Sequence, residues 1–141
     1  MAYTYKYPRP MVTVDVVAVA PGAAGTMVLL IERGTEPFKG RWALPGGFVR
    51  LDEALDDGAA RELREETGID GAGLEQIAAF GDLGRDPRGR TITVAFLTRL
   101  AECTAPCAGS DAANARWHAL HRLPPMAFDH DAIVERARQM I

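Results

Sequence analysis

Cysteine is scarce in this sequence: Cys103 and Cys107 are the only two in 141 residues. Two are too few for the disulfide framework of a small secreted domain, so a reducing compartment is expected. Long apolar runs are missing as well. The longest, Val12 to Pro21, is broken by Thr13 and Asp15 and is about half the length that spans a bilayer, so no membrane partner is expected. The start, MAYTYKYPRP, has neither a basic stretch followed by an apolar one nor an Arg- and Ser-rich amphipathic pattern, and the expected location is cytoplasmic. An excess of positive charge is lacking too. Sixteen Lys+Arg against nineteen Asp+Glu leave −3, which offers no general field to nucleic acid or anionic lipid. Any recognition of phosphate must be local.

What is present matches an ordinary globular chain: 48% hydrophobic and 25% charged residues, with a length that suits one domain over residues 1–141. Met11 to Ala20 and Met27 to Ile31 are rich in β-branched residues and flank PGAAG, so they read as a hairpin. A breaker-rich segment follows, with only a short strand around Trp42 to Leu44. From Asp52 to Thr67 the pattern is helical, with Leu55, Ala59 and Leu63 recurring every fourth residue and Gly68 placed as the C-cap. Leu74 to Asp82 and Thr91 to Leu100 form a second hairpin around LGRDPRGR, Arg116 to Leu120 is a short strand, and Asp131 to Met140 is a second helix. This order predicts an α/β fold, a mixed sheet with helices on its faces. Cys103, Cys107, His118 and His121 are spaced C-x3-C and H-x2-H; the histidines are too close for a shared zinc on a helix, and no zinc site is expected.

The chemistry is concentrated on the first helix. At 100° per residue Glu66 falls inside the apolar arc, Glu62 borders it, and Glu65 lies about 60° to the other side of Glu62, with Gly58 between them. Three carboxylates so placed repel one another and raise each other's pKa unless a cation intervenes. Arg61 and Arg64 are possible counter-charges, but a divalent ion serves better, and all-oxygen ligands select Mg²⁺ or Mn²⁺. An isolated Glu/Arg run is ordinarily a solvated helix face. Here, however, residues 47–69, GFVRLDEALDDGAARELREETGI, fit G-x5-E-x7-R-E-U-x-E-E-x-G-U (U, bulky aliphatic) at every specified position. The chance of that is on the order of 10⁻¹⁰ per window at average residue usage.

This segment resembles the signature of the Nudix hydrolases, and the predicted order of elements resembles the Nudix α/β/α sandwich with a mixed β-sheet. The resemblance implies metal-dependent hydrolysis of a nucleoside diphosphate linked to a second moiety. It implies that Glu62, Glu65 and Glu66 are metal ligands, joined by the backbone carbonyl of Gly46. Glu53 would hold a further metal through water or act as a base, and Arg61 would orient the carboxylates. Gly47 would free the loop to approach the metal, and Gly68 would end the helix. The resemblance also implies a further acid from outside the motif as ligand or base; Asp111, Asp86 and Glu102 are candidates, and Asp111, six residues before Trp117, is preferred because the resemblance implies an acid in the loop before this strand.

Outside the motif, RGTEPFKGRWALPGGFV, GRDPRGR and WHALHRLPPMAFDHDAI resemble the ADP-ribose pyrophosphatase branch, which implies cleavage of ADP-ribose to AMP and ribose 5-phosphate. Oxidised nucleoside triphosphates, or sensing of ADP-ribose without turnover, are the competing readings. Arg41, Arg88 and Arg90 are the candidate substrate contacts, since a guanidinium fork matches phosphate oxygens. Trp42, Phe38 and Phe128 are candidates to stack on a base, although core packing is the commoner use of an aromatic. His130 is expected to make a local hydrogen bond, and Asp15 needs a partner if it is buried. Relatives in this branch include DNA-binding regulators with an added winged helix. With no basic module in this chain, a nucleic-acid partner is not expected, whereas the resemblance allows a homodimer with YTYKYPRP as an exchanged edge.

Overall fold

The computed structural model describes residues 2–71, 73–107 and 112–141. Seven strands form one mixed sheet: β1 (Met11–Gly22), β2 (Gly25–Arg33), β3 (Trp42–Ala43), β4 (Gly46–Phe48), β5 (Glu75–Phe80), β6 (Thr91–Arg99) and β7 (Ala112–Ala119). Helix α1 (Leu55–Thr67) and helix α2 (His130–Arg138) cover its two faces. The architecture is the α/β/α sandwich that the pattern predicts.

Burial along β1 follows from the period of two in a strand. Val14, Val16 and Ala18 pack with Ala59 and Leu63 of α1, while Val17 and Val19 pack with Ile133, Val134 and Ala137 of α2. With both faces covered, Thr13 to Ala20 is continuously buried, which explains why apolar residues occupy both faces of this strand. Fully burying a leucine such as Leu63 contributes about 1.5–3 kcal/mol.

The edges of β1 and β2 position the site. One edge of β1 pairs in parallel with β6 from Met11↔Thr91 to Val19↔Arg99, so its other edge is shared. Near the turn it pairs antiparallel with β2, from Val19↔Val28 to Gly22↔Gly25; further back it pairs with β4, from Thr13↔Phe48 to Asp15↔Gly46. Strand β2 is likewise bound by β7 along one edge, and beyond the hairpin it turns its other edge to β3. The two central strands therefore splay apart, and the 42–48 segment fills the gap between them. The buried Leu44 and Pro45 sit in that gap.

Several boundaries differ from the sequence reading. Strand β4 was not expected, because Gly46 and Gly47 read as breakers. A Cβ at Gly46 would lie 2.2 Å from the Val14 carbonyl oxygen, so glycine is what lets this strand close on β1. Helix α1 begins at Leu55 rather than Asp52, since Glu53 turns back to accept a hydrogen bond from the Arg50 backbone N–H at 2.9 Å. It ends at Gly68 with φ 73° and its N–H on the Arg64 carbonyl, as a left-handed cap requires. Strand β7 starts at Ala112, four residues before Arg116, because it continues alongside β2 as far as Arg33.

Candidate active site

The motif glutamates are arranged around Arg61, whose side chain is only 10% exposed. Its Nε and Nη2 donate to the two oxygens of Glu53 at 2.9 and 2.7 Å, Nη1 donates to Glu62 at 2.8 Å and Glu65 at 3.3 Å, and Nη2 also reaches the Phe48 carbonyl at 3.2 Å. Arg61 thus orients the carboxylates. The Arg61 hydrogen bonds, with that of the Arg50 N–H, lower the Glu53 carboxyl to about 2. Two glycines make the room this needs: a Cβ at Gly58 would meet Glu53 Oε1 at 2.9 Å, and one at Gly47 would meet the Glu62 carboxyl carbon at 2.7 Å.

Glu66 lies deeper. Its Oε1 accepts the Gly46 N–H at 2.8 Å, so the β3–β4 loop and α1 are tied together at this point. Burial, reinforced by the negative charge of Glu62 beside it, pushes the Glu66 carboxyl well above the usual carboxylate range. Glu65 is half exposed, reached by Arg61 and, at 3.6 Å, by Arg50. Among the described residues no three acid, histidine or cysteine side chains are drawn together as a closed metal cage. Yet the donor set is all oxygen, and a buried carboxyl beside a second carboxylate is the electrostatic condition that a hard divalent cation relieves. Glu62, Glu65 and Glu66 fit such an ion.

Opposite these acids the cleft is basic. Its outer part is lined by Glu62, Glu65 and Glu66 together with Arg33 and Arg88; its inner part, open to solvent, reaches Asp15, Arg85, Phe128 and His130. Arg88 is gripped by Asp86 at 3.0 and 2.8 Å, and its guanidinium lies 5.1 Å from the Phe48 ring and 5.2 Å from the Phe128 ring. Arg33 sits 5.0 Å from the Phe128 ring and donates to the Pro37 carbonyl; burial, then the nearby Arg88 charge, lowers its pKa. Arg85 is clamped by Asp129 at 2.8 and 2.6 Å. Phe128 holds its ring there with φ 52° and touches Phe38, whose φ is 61°. Two bulky residues in the left-handed region are strained, a cost that is concentrated at functional sites.

Of the three arginines expected at substrate, only Arg88 lines the cleft. Arg41 is exposed and lies 5.7 Å from the Phe38 ring, and Arg90 donates to the Gly81 carbonyl at 2.6 Å. Asp86 holds Arg88, and Asp111 lies outside the described residues. Phe128 borders the cleft, whereas Trp42 packs against the α2 core and His118. Asp15 finds its partners in Thr93, whose hydroxyl donates at 2.6 Å, and His130, 3.6 Å away. Sequence reasoning missed Arg33, which the splay of β2 from β1 brings to the acids, and Arg85, which Asp129 holds at the inner end of the cleft. Asp15, the charge inside an apolar strand, was the signal that this place is polar.

Similarity to known proteins agrees with this geometry. The NUDIX domain family matches residues 9–137. An ADP-ribose pyrophosphatase of Methanocaldococcus jannaschii is 36% identical over 129 residues, 92% of this chain and 73% of that protein. An ADPR responsive transcriptional repressor, NtrR, of Acinetobacter baylyi is 37% identical over 135 residues, 93% of this chain but 54% of the repressor. The NUDIX domain of Shewanella oneidensis NrtR, solved with ADP ribose, superposes with a TM-score of 0.90 at 32% identity, covering 98% of this chain and 93% of that one. The chain belongs to the Nudix family, and within it is a Nudix hydrolase related in sequence and structure to the ADP-ribose pyrophosphatase-like members.

One expectation is corrected by these relatives. The same NrtR has been solved with a 27mer DNA, with a TM-score of 0.79 at 32% identity over 92% of this chain and 61% of that one. Similar chains therefore engage nucleic acid, and the expectation of no nucleic-acid partner does not stand. A charge of −3 is an average over the chain, and an average excludes neither a local basic surface nor a contribution from sequence outside the shared region.

Proposed function

We propose that the protein is a Mg²⁺-dependent cytoplasmic pyrophosphatase, with Mn²⁺ as the alternative ion, that hydrolyses ADP-ribose to AMP and ribose 5-phosphate. The observation that carries this reading is the opposition within one cleft of three motif carboxylates, Glu62, Glu65 and Glu66, to the guanidinium groups of Arg33 and Arg88. A diphosphate resists attack because its oxygens repel a nucleophile, so its hydrolysis needs charge neutralised from both sides. The glutamates, with the Gly46 carbonyl, hold the ion, which supplies charge neutralisation and acidifies water when bound.

The chain's own residues do the remaining work. Arg88, held by Asp86, presents a cation to the diphosphate; Arg41, beside the Phe38 ring, and Arg90, bonded to the Gly81 carbonyl, remain proposed as further phosphate contacts. Arg33 adds the second cation. Glu53, whose two oxygens accept from Arg61 and whose carboxyl is thereby a weak base, is proposed to hold a further ion through water. Water adds to one phosphorus while the bridging oxygen leaves with the other, which yields two phosphomonoesters. Asp111 is proposed as the additional base or ligand from outside the motif. A second copy exchanging the N-terminal segment fits the same reading.

The competing reading is a domain that binds ADP-ribose without cleaving it, favoured by the similarity to a repressor described as ADPR responsive. The complete acid set supports turnover instead. Incubation with ADP-ribose, other ADP-sugars, dinucleoside polyphosphates and 8-oxo-dGTP, with products separated by chromatography, tests this. AMP and ribose 5-phosphate from ADP-ribose ahead of the other substrates, abolished by EDTA, is the expected result; faster release of a nucleoside monophosphate from 8-oxo-dGTP would overturn the substrate assignment.

A further inference from the structure

The inner wall of the cleft contains a buried linkage that the reaction itself does not use. The His130 Nδ1 accepts the Leu44 backbone N–H at 3.0 Å, across 86 residues of sequence. An acceptor nitrogen carries no proton, so the ring is neutral with its hydrogen on Nε2, and Nε2 faces Asp15 Oδ1 at 3.6 Å. That same Asp15 oxygen lies directly under Gly46: a Cβ there would be 2.3 Å from it. The other Asp15 oxygen is fixed by the Thr93 hydroxyl. Two residues beyond Leu44, the Gly46 N–H holds Glu66.

We infer that His130 is a positioning residue for the metal site: through Leu44 it fixes the loop whose Gly46 amide aims Glu66, and through Asp15 it supports the underside of that loop. Burial keeps the imidazole neutral, since it pushes the His130 pKa down. His130 opens α2, adjoining Asp129, which clamps Arg85, and Phe128, which borders Arg33 and Arg88. The start of α2 thus organises both the acidic and the basic sides of the cleft. Hydrogen bonds behind the ligands commonly tune metal affinity, and this one acts through the Leu44–Gly46 backbone. The inference rests on the reading of Glu62, Glu65 and Glu66 as metal ligands.

Two substitutions separate the parts of the linkage. Asparagine places an amide oxygen where Nδ1 was and can still accept from Leu44, whereas glutamine places its amide near the position of Nε2 and cannot. Mn²⁺ binding to the substrate-free protein, followed by electron paramagnetic resonance, is expected to weaken by at least about 10-fold in His130→Gln and to stay within about 3-fold of wild type in His130→Asn. In the wild-type protein, ¹⁵N NMR of the imidazole is expected to show the Nε2–H tautomer. Equal Mn²⁺ affinity in wild type and His130→Gln, equal losses in both variants, or a proton on Nδ1 overturns the positioning role. Wild-type protein that binds no Mn²⁺ overturns the hydrolase reading itself, and this role with it.

Discussion

Arg61 and Glu53, eight residues apart, meet in a two-pronged pair, Nε to Oε2 at 2.9 Å and Nη2 to Oε1 at 2.7 Å. The remaining nitrogen of the same guanidinium bridges Glu62 and Glu65. One planar fork therefore sets three carboxylates at once, which the point charge of an ammonium cannot do. In Arg61→Lys the protein is expected to keep its circular dichroism spectrum while turnover falls by about 10²-fold, the scale of an ångström misplacement of catalytic groups. Turnover close to wild type would show that the fork is dispensable.

The same pair has a pH signature. Glu53 is lowered from 4.5 to about 2 by its Arg61 hydrogen bonds. Over that interval the unfolded chain binds a proton that the folded one does not, so the pair's contribution is complete above about pH 4.5 and is lost as pH falls toward about 2. Urea unfolding of wild type and Glu53→Gln at several pH values is expected to show a stability gap that narrows on acidification in this window. A gap independent of pH contradicts the assignment.

Gly47 separates shape from chemistry. The backbone there is unstrained for any residue, but a Cβ would lie 2.7 Å from the Glu62 carboxyl carbon. Gly47→Ala is expected to fold normally, to lower turnover by about 10²-fold and to require more Mg²⁺ for half-maximal rate. An unchanged Mg²⁺ requirement would mean that Glu62 does not need that position.

Glu66→Gln tests the electrostatics of the buried acid. Removing a carboxyl that burial and Glu62 hold in an unfavourable place is expected to leave the metal-free melting temperature unchanged or higher. Mg²⁺ stabilises a protein whose folded state binds it, so the increment it adds to wild type is expected to be largely absent in the variant, with turnover reduced by at least about 100-fold. Equal Mg²⁺ increments in both proteins would remove Glu66 from the ligand set.

Legibility in the sequence followed locality. Helix α1 could be read from Leu55, Ala59 and Leu63 and from the Gly68 cap because these are contacts within or beneath one helix. The motif spacing marked Glu53, Glu62, Glu65 and Glu66 for the same reason, together with the arginine that holds the first three. The basic wall was not legible. Arginines in loops look alike in sequence; Arg41 and Arg90 find local partners on Phe38 and Gly81, while Arg33 enters the cleft only because β2 leaves β1 beyond Val28. Strand β4 was hidden because glycine, ordinarily a breaker, was selected there for close approach to Asp15. His130 was expected to make a local bond, yet its partner Leu44 lies in the connection between β3 and β4, 86 residues away, which no local pattern could show.

We propose that this cleft breaks the diphosphate bond of ADP-ribose with the help of a divalent ion. Phosphorus NMR of ADP-ribose mixed with the protein, first in EDTA and then after addition of Mg²⁺, tests it most directly. The diphosphate spectrum is expected to be unchanged in EDTA and, with Mg²⁺, to be replaced by two phosphomonoester signals matching AMP and ribose 5-phosphate. A diphosphate spectrum that persists in Mg²⁺ while ADP-ribose is bound would contradict hydrolysis and make the cleft a sensor of its ligand.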